Sequence, residues 1–146
     1  MTNPMKLTHR GAAALLLLFC AGHTVGTFRG RSPAPEADAV LVAMRTVRFD
    51  FKGVERTFHD IFFGHALLVS VYLLGSAFVA WILASVEHEH WPAVAPMAWG
   101  LAVAQLVTAT VAGMYFFAGP AVLSGLAGAL LVIGNLRATT LRRSTG

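Results

Sequence analysis

Residues 57–85 read TFHDIFFGHALLVSVYLLGSAFVAWILAS, and this stretch decides the fold. From Ile61 to Val86 only His65 can carry a charge near neutral pH. About 20 consecutive apolar residues cross the hydrocarbon core of a bilayer as a helix. The segment is longer than that and spans with tilt to spare. It predicts a membrane helix over about 58–86, which makes lipid the solvent for most of the chain.

Upstream, Gly11 to Phe28 is a second apolar run, with His23 inside it and Lys6 and Arg10 ahead of it. A basic start before an apolar core is also the layout of a signal peptide. No clean small-x-small cleavage site follows, and Leu-Leu-Phe before Cys20 spoils a lipoprotein signal. A retained first helix over about 8–28 is the preferred reading. Downstream, VEHEHWPAVA (86–95) reads as a short loop. A helix without charge follows from about Pro96 to Phe117, then a tight turn at Ala118-Gly119-Pro120 and a last span to about Arg137. The expected architecture is an all-α membrane protein, a single domain of four transmembrane helices (about 8–28, 58–86, 96–117 and 120–137).

The polar loop 29–57 carries the remaining pattern. Ser32 reads as a helix cap, with Pro33 and Pro35 in the turn that opens the helix. Ala37, Val40, Leu41, Met44 and Val47 then recur at helical spacing, opposite Glu36, Asp38, Arg45 and Arg48. A short amphipathic helix in this first loop, lying along the membrane surface, is expected. Asp50, Lys52, Gly53 and Glu55 read as a charged turn into the second span.

Composition agrees with a bilayer protein. Of 146 residues, 56% are apolar and 12% charged, against about 25% charged in soluble domains. The net charge of +4 comes from basic residues flanking apolar spans, as topology signals do, and not from a nucleic-acid stripe. A single cysteine excludes an intrachain disulfide and a CxxC redox pair. Trp81, Trp91 and Trp99 fall near the second loop, and Phe58, Phe62, Phe63, Tyr115, Phe116 and Phe117 fall at the opposite end, as interfacial belts would. Lys6, Arg10, Arg137, Arg142 and Arg143 sit at the termini without acids, whereas the first loop mixes its bases with Asp and Glu. Basic counts alone nearly tie; the terminal charges, with no acid among them, favour cytoplasmic termini.

Small residues at every fourth position are expected to make the helix contacts: Gly22 and Gly26 on the first helix, and Ala121, Gly125 and Ala129, with Ser124 and Gly128, on the last. Ionisable groups inside spans mark sites or interhelical bonds. His23, Asp60 and His65, with Tyr115, all fall at the first-loop end, beneath Arg45 and Arg48. These six are the candidate ligand-binding residues, for a metal, a haem or a polar head group. The plainer reading gives each one interhelical hydrogen bond. Gln105 and Thr108 lie mid-span on the third helix. In Glu87-His88-Glu89-His90, an extended loop would put His88 and His90 on one side as weak metal ligands. No cofactor is specified. No nucleophile–base arrangement, phosphate loop or paired-carboxylate pattern stands out, so enzyme activity is left open.

The segments GHTVGT (22–27), Met44-Arg45, Phe49-Asp50, Gly53, Arg56 and Asp60-x-x-x-Gly64 resemble a family of uncharacterised bacterial four-helix integral membrane proteins. The likeness covers about residues 15–75, and the GHxxGT piece is its most specific part; at His65 the chain departs from it, since that position is aromatic in the family. The outline is also similar to DoxX-type four-helix proteins and to quinone-reducing thiol oxidoreductases, whose cysteine motif is absent here. The resemblance implies a multi-pass protein of the bacterial cytoplasmic membrane. The expected function is a non-enzymatic accessory subunit or a binder of a lipid-like ligand. The alternative is a haem- or quinone-associated redox component using His23 and His65, and solute transport ranks below both. Expected partners are the bilayer, with a homo-oligomer or larger membrane complex open.

Overall fold

In the computed structural model, which describes residues 4–30 and 34–145, the elements follow in the order α1 (Pro4–Arg29), α2 (Pro35–Thr46), β1 (Arg48–Phe51), β2 (Val54–Thr57), α3 (Phe58–Leu83), a 3₁₀ turn (His88–His90), α4 (Trp91–Tyr115) and α5 (Ala118–Thr145). Four helical stretches are long and apolar enough to cross a membrane: Met5–Arg29, Phe58–Leu83, His88–Tyr115 and Ala118–Thr140. The chain is an all-α, multi-pass membrane protein with α2 and a small hairpin in its first loop.

Several helix limits differ from those the sequence suggests. The first span starts at Pro4, where a fixed φ suits the first helical turn. The fourth helix starts at Trp91, not at Pro96: Pro92 occupies its first turn, where an amide N–H is not needed, and Pro96 is absorbed inside at the loss of one bond. The third ends at Leu83 instead of 86. The last helix begins at Ala118, two residues ahead of Pro120, and runs to Thr145. The Thr139 and Thr140 hydroxyls donate to the Asn135 and Leu136 carbonyls along that extension. The expected Ser32 cap and Pro33 lie outside the described residues; Ala34 holds the N-cap position of α2 without a side-chain bond.

The expected charged turn at 50–55 is a β-hairpin instead. Lys52 (φ 54°) and Gly53 (φ 85°) both take positive φ, the geometry of a two-residue type I′ turn. The Gly53 N–H donates to Asp50 Oδ1 at 2.6 Å. The register pairs Phe49 with Arg56 and Asp50 with Glu55. Opposed carboxylates disfavour the pairing, and Arg48, 3.2 Å from Glu55, offsets them.

The chain divides into two compact units, Met1–Cys20 with Leu73–Gly146, and Ala21–Tyr72. In the first, Ala12, Ala13, Leu16 and Phe19 of α1 pack with Leu73, Ala77 and Ala80 of α3, Ala102 of α4 and Ala127 and Leu131 of α5. A second cluster joins Met5, Leu83, Trp91, Ala98 and Ala138. Trp91 is therefore a core residue, 2% exposed, and not part of an interfacial belt; Trp81 is 53% exposed. The small-residue face expected on the last helix does make a contact, and its partner is α4. A Cβ on Gly128 would lie 2.8 Å from Leu106 Cδ2, and one on Gly125 3.7 Å from Ala109 Cβ. Ala129 is exposed and takes no part in that face. Gly22 and Gly26 differ from expectation: a Cβ at either would meet nothing within 4 Å, so they do not form a helix contact within this chain.

In the second unit α2 lies with Ala37, Leu41 and Met44 half-buried and its charged residues exposed. Val40 and Val47, expected on the sheltered side, are exposed. None of its residues is fully buried, which suits a helix lying at a surface.

Candidate functional site

The first-loop end of α3 is built from its cap outward. Thr57 ends β2 and caps α3: its Oγ1 accepts the Asp60 N–H at 3.1 Å, and Asp60 Oδ2 accepts the Thr57 N–H at 2.9 Å. This reciprocal box satisfies two amides that a helix start leaves orphaned. Asp60 thus has a structural duty that its sequence position already encodes. The hairpin above the cap turns Phe49 and Phe51 to one face, with Phe49 packed on Phe58 at 4.7 Å.

Beneath that face runs a groove of about 440 Å³ lined by Phe51, Arg56, Asp60, Ile61, Gly64, His65 and Leu68. Its lining combines a cation, a carboxylate and an imidazole with the apolar side chains of Phe51, Ile61 and Leu68. His65 Nδ1–H donates to the Ile61 carbonyl at 2.9 Å, which orients the ring on its own helix. The groove therefore brings together two of the expected site residues, Asp60 and His65, and adds Arg56 and Phe51. Arg56 is read in the sequence as part of the motif before α3 but not among the six candidates, and Phe51 is not singled out, because the hairpin that places them is not read there.

The other expected residues stand elsewhere. His23 Nε2–H donates to the Ala66 carbonyl at 3.0 Å. Beside it, Thr24 Oγ1 donates to Ser70 Oγ at 2.8 Å, and Phe28 meets the Phe63 ring edge-on at 5.4 Å. The GHTVGT segment is thus a polar seam between α1 and α3. An axial ligand at His23 through Nε2 would have to give up this bond. Arg48 is exposed and paired with Glu55 across the hairpin. Arg45 is exposed in the last turn of α2. Tyr115 ends α4 in the other compact unit and is 74% exposed.

The expected His88–His90 pairing fails because the segment is a 3₁₀ turn and not extended. Successive residues then rotate by about 120°, so His88 and His90 diverge. Instead Glu87, Glu89 and His90, all exposed, bring one ligand atom each within 4.8 Å of the others.

A further polar pair lies in the first unit. His9, fully buried, sits between two oxygens: the Met5 carbonyl is 3.0 Å from Nδ1, and Asn135 Oδ1 is 3.1 Å from Nε2. An imidazolium satisfies both; a neutral ring does so when the Asn135 amide is turned over. The Trp91 ring packs edge-on against His9 at 5.7 Å. A lone Asn in an apolar run and a His one turn after the helix start are the signals in the sequence.

No protein-family model, curated protein or solved structure matches the chain.

Proposed function

We propose that this protein binds a lipid-like ligand at the first-loop end of α3, as a non-enzymatic component of the bacterial cytoplasmic membrane. The observation that supports the reading is the groove that joins Arg56, Asp60 and His65 to the apolar Phe51, Ile61 and Leu68. Pockets of this kind, mostly apolar with a few convergent polar groups, suit an amphiphile whose oxygen-rich head sits at the mouth. Asp60 is held by the helix cap, which leaves Arg56 as the charge that selects the head group. Binding suits this site better than catalysis, because Asp60 is hydrogen-bonded to the cap backbone at Thr57 and His65 to the backbone of its own helix.

The preferred orientation places the termini in the cytoplasm. Lys6, Arg10, Arg137, Arg142 and Arg143 have no acid among them, while the first loop sets Glu36, Asp38, Asp50 and Glu55 against its bases and pairs Arg48 with Glu55, which favours the termini as the positive-inside side.

The test is native mass spectrometry of the full chain released gently from its own membrane. A reproducible added mass of lipid or quinone size, lost in Arg56→Gln and in His65→Ala, is the expected result. A bare chain, or an added mass that both substitutions retain, overturns the reading.

A further inference from the structure

In the first unit, α1 and α3 leave an outward trough of about 170 Å³, lined by Ala13, Leu17, Leu74, Ala77, Phe78 and Trp81. The trough exists because the two residues at its base are alanines, 1% and 2% exposed, while its walls are large and open to lipid. Ala13 and Leu17 continue a helical stripe that begins at Arg10, and Leu74, Ala77 and Trp81 form the matching stripe on α3. At the trough's end, the Arg10 guanidinium lies 5.5 Å over the Trp81 ring.

That arrangement divides the work of one arginine. Its face rests on the indole, and its edge N–H groups stay available for a bidentate acceptor. The stripe from Arg10 to Leu17 rises about 10 Å along the helix, so a chain in the trough would have its head beside Arg10. Trp81 is half-exposed two residues before the end of α3, at the depth where tryptophan marks the membrane–water interface. Charge selects the head. Lys6, Arg10 and Arg137 belong to this end of α1 and α5, against Glu87 and Glu89 of the neighbouring loop. Basic sites of this kind between transmembrane helices bind anionic lipid head groups.

We propose that the trough holds an acyl chain of an anionic phospholipid from the bilayer, with its phosphate paired to Arg10. The site is separate from the groove at the start of α3, and neither depends on the other.

The test uses the full chain carrying Trp99→Phe, in phosphatidylcholine vesicles doped with brominated phosphatidylglycerol or, in parallel, brominated phosphatidylcholine. Trp91 is buried, so quenching by brominated chains reports chiefly on Trp81. The expected result is stronger quenching by the phosphatidylglycerol probe, with an affinity preference of about fivefold, the effect of one basic side chain near an anionic surface. Arg10→Gln removes the preference, Arg10→Lys keeps most of it, and Lys6→Gln reduces it less than Arg10→Gln does. Helix content by circular dichroism accompanies each variant. Equal quenching by the two probes in the parent chain overturns the proposal. So does equal loss in Arg10→Gln and Lys6→Gln, which would mean diffuse attraction to the surface without a site.

Discussion

His9 and Asn135 are 126 positions apart in the chain and 3.1 Å apart in the fold, both without solvent exposure. They tie the start of α1 to the last turns of α5. Buried hydrogen bonds between membrane helices average about 0.6 kcal/mol and reach about 1.7. This one belongs near the upper end, because Trp91 and Met5 shield it. We expect Asn135→Ala to cost about 1 kcal/mol, measured by detergent-induced unfolding in mixed micelles. A His9→Ala/Asn135→Ala cycle should show coupling of similar size, and additive single effects would refute the pair.

Gly134 is the neighbour that makes room for that histidine. A Cβ there would run into the His9 ring and lie 2.7 Å from Thr8 Oγ1. Gly134→Ala should therefore destabilise by about 1–3 kcal/mol, as overpacking does, and more than Asn135→Ala. Gly22→Ala, where a Cβ meets nothing, should leave the melting temperature of the monomer unchanged. A Gly134→Ala variant as stable as the parent would show that α5 is not packed against His9 in this way.

The Thr57–Asp60 cap makes a local prediction. Thr57→Ala or Asp60→Ala should each cost about 1 kcal/mol, seen as faster amide exchange at 58–61 without loss of the rest of the spans. Cap loss should also loosen the hairpin, since Thr57 pairs with Arg48 in its last register position. Unchanged exchange at 58–61 in both variants would remove the cap from the account of how the groove is held.

How much of this is visible in the sequence depends on the range of the interaction concerned. The four spans are legible because an apolar run needs no distant partner to be recognised, and only their ends shift by a few residues. The α4–α5 contact is legible for the same reason, since small residues four apart state a face within one helix. The hairpin is harder: Arg48, Asp50, Glu55 and Arg56 give it the charge of a solvated turn, and the alternation of Phe49 and Phe51 with charged neighbours is its only signature. Missing it also leaves Arg56 a motif residue and not a site candidate, since the type I′ turn is what brings it to the groove. His9 stays hidden for a different reason. A His one turn after the helix start reads equally well as part of a polar start, and its partner lies at the far end of the chain.

His23 of α1 and His65 of α3 separate a structural role from a binding role. His23 donates to the Ala66 carbonyl, so His23→Ala should lower stability by about 0.6 kcal/mol and leave the ligand mass in native spectra unchanged. His65 bonds only to its own helix and lines the groove, so His65→Ala should do the reverse: ligand mass lost, unfolding midpoint kept. A shared haem would behave differently, with one absorption band in the Soret region lost in either variant. If both substitutions abolish such a band, the His23 bond to Ala66 is not the resting state of the protein, and the redox reading replaces the lipid one.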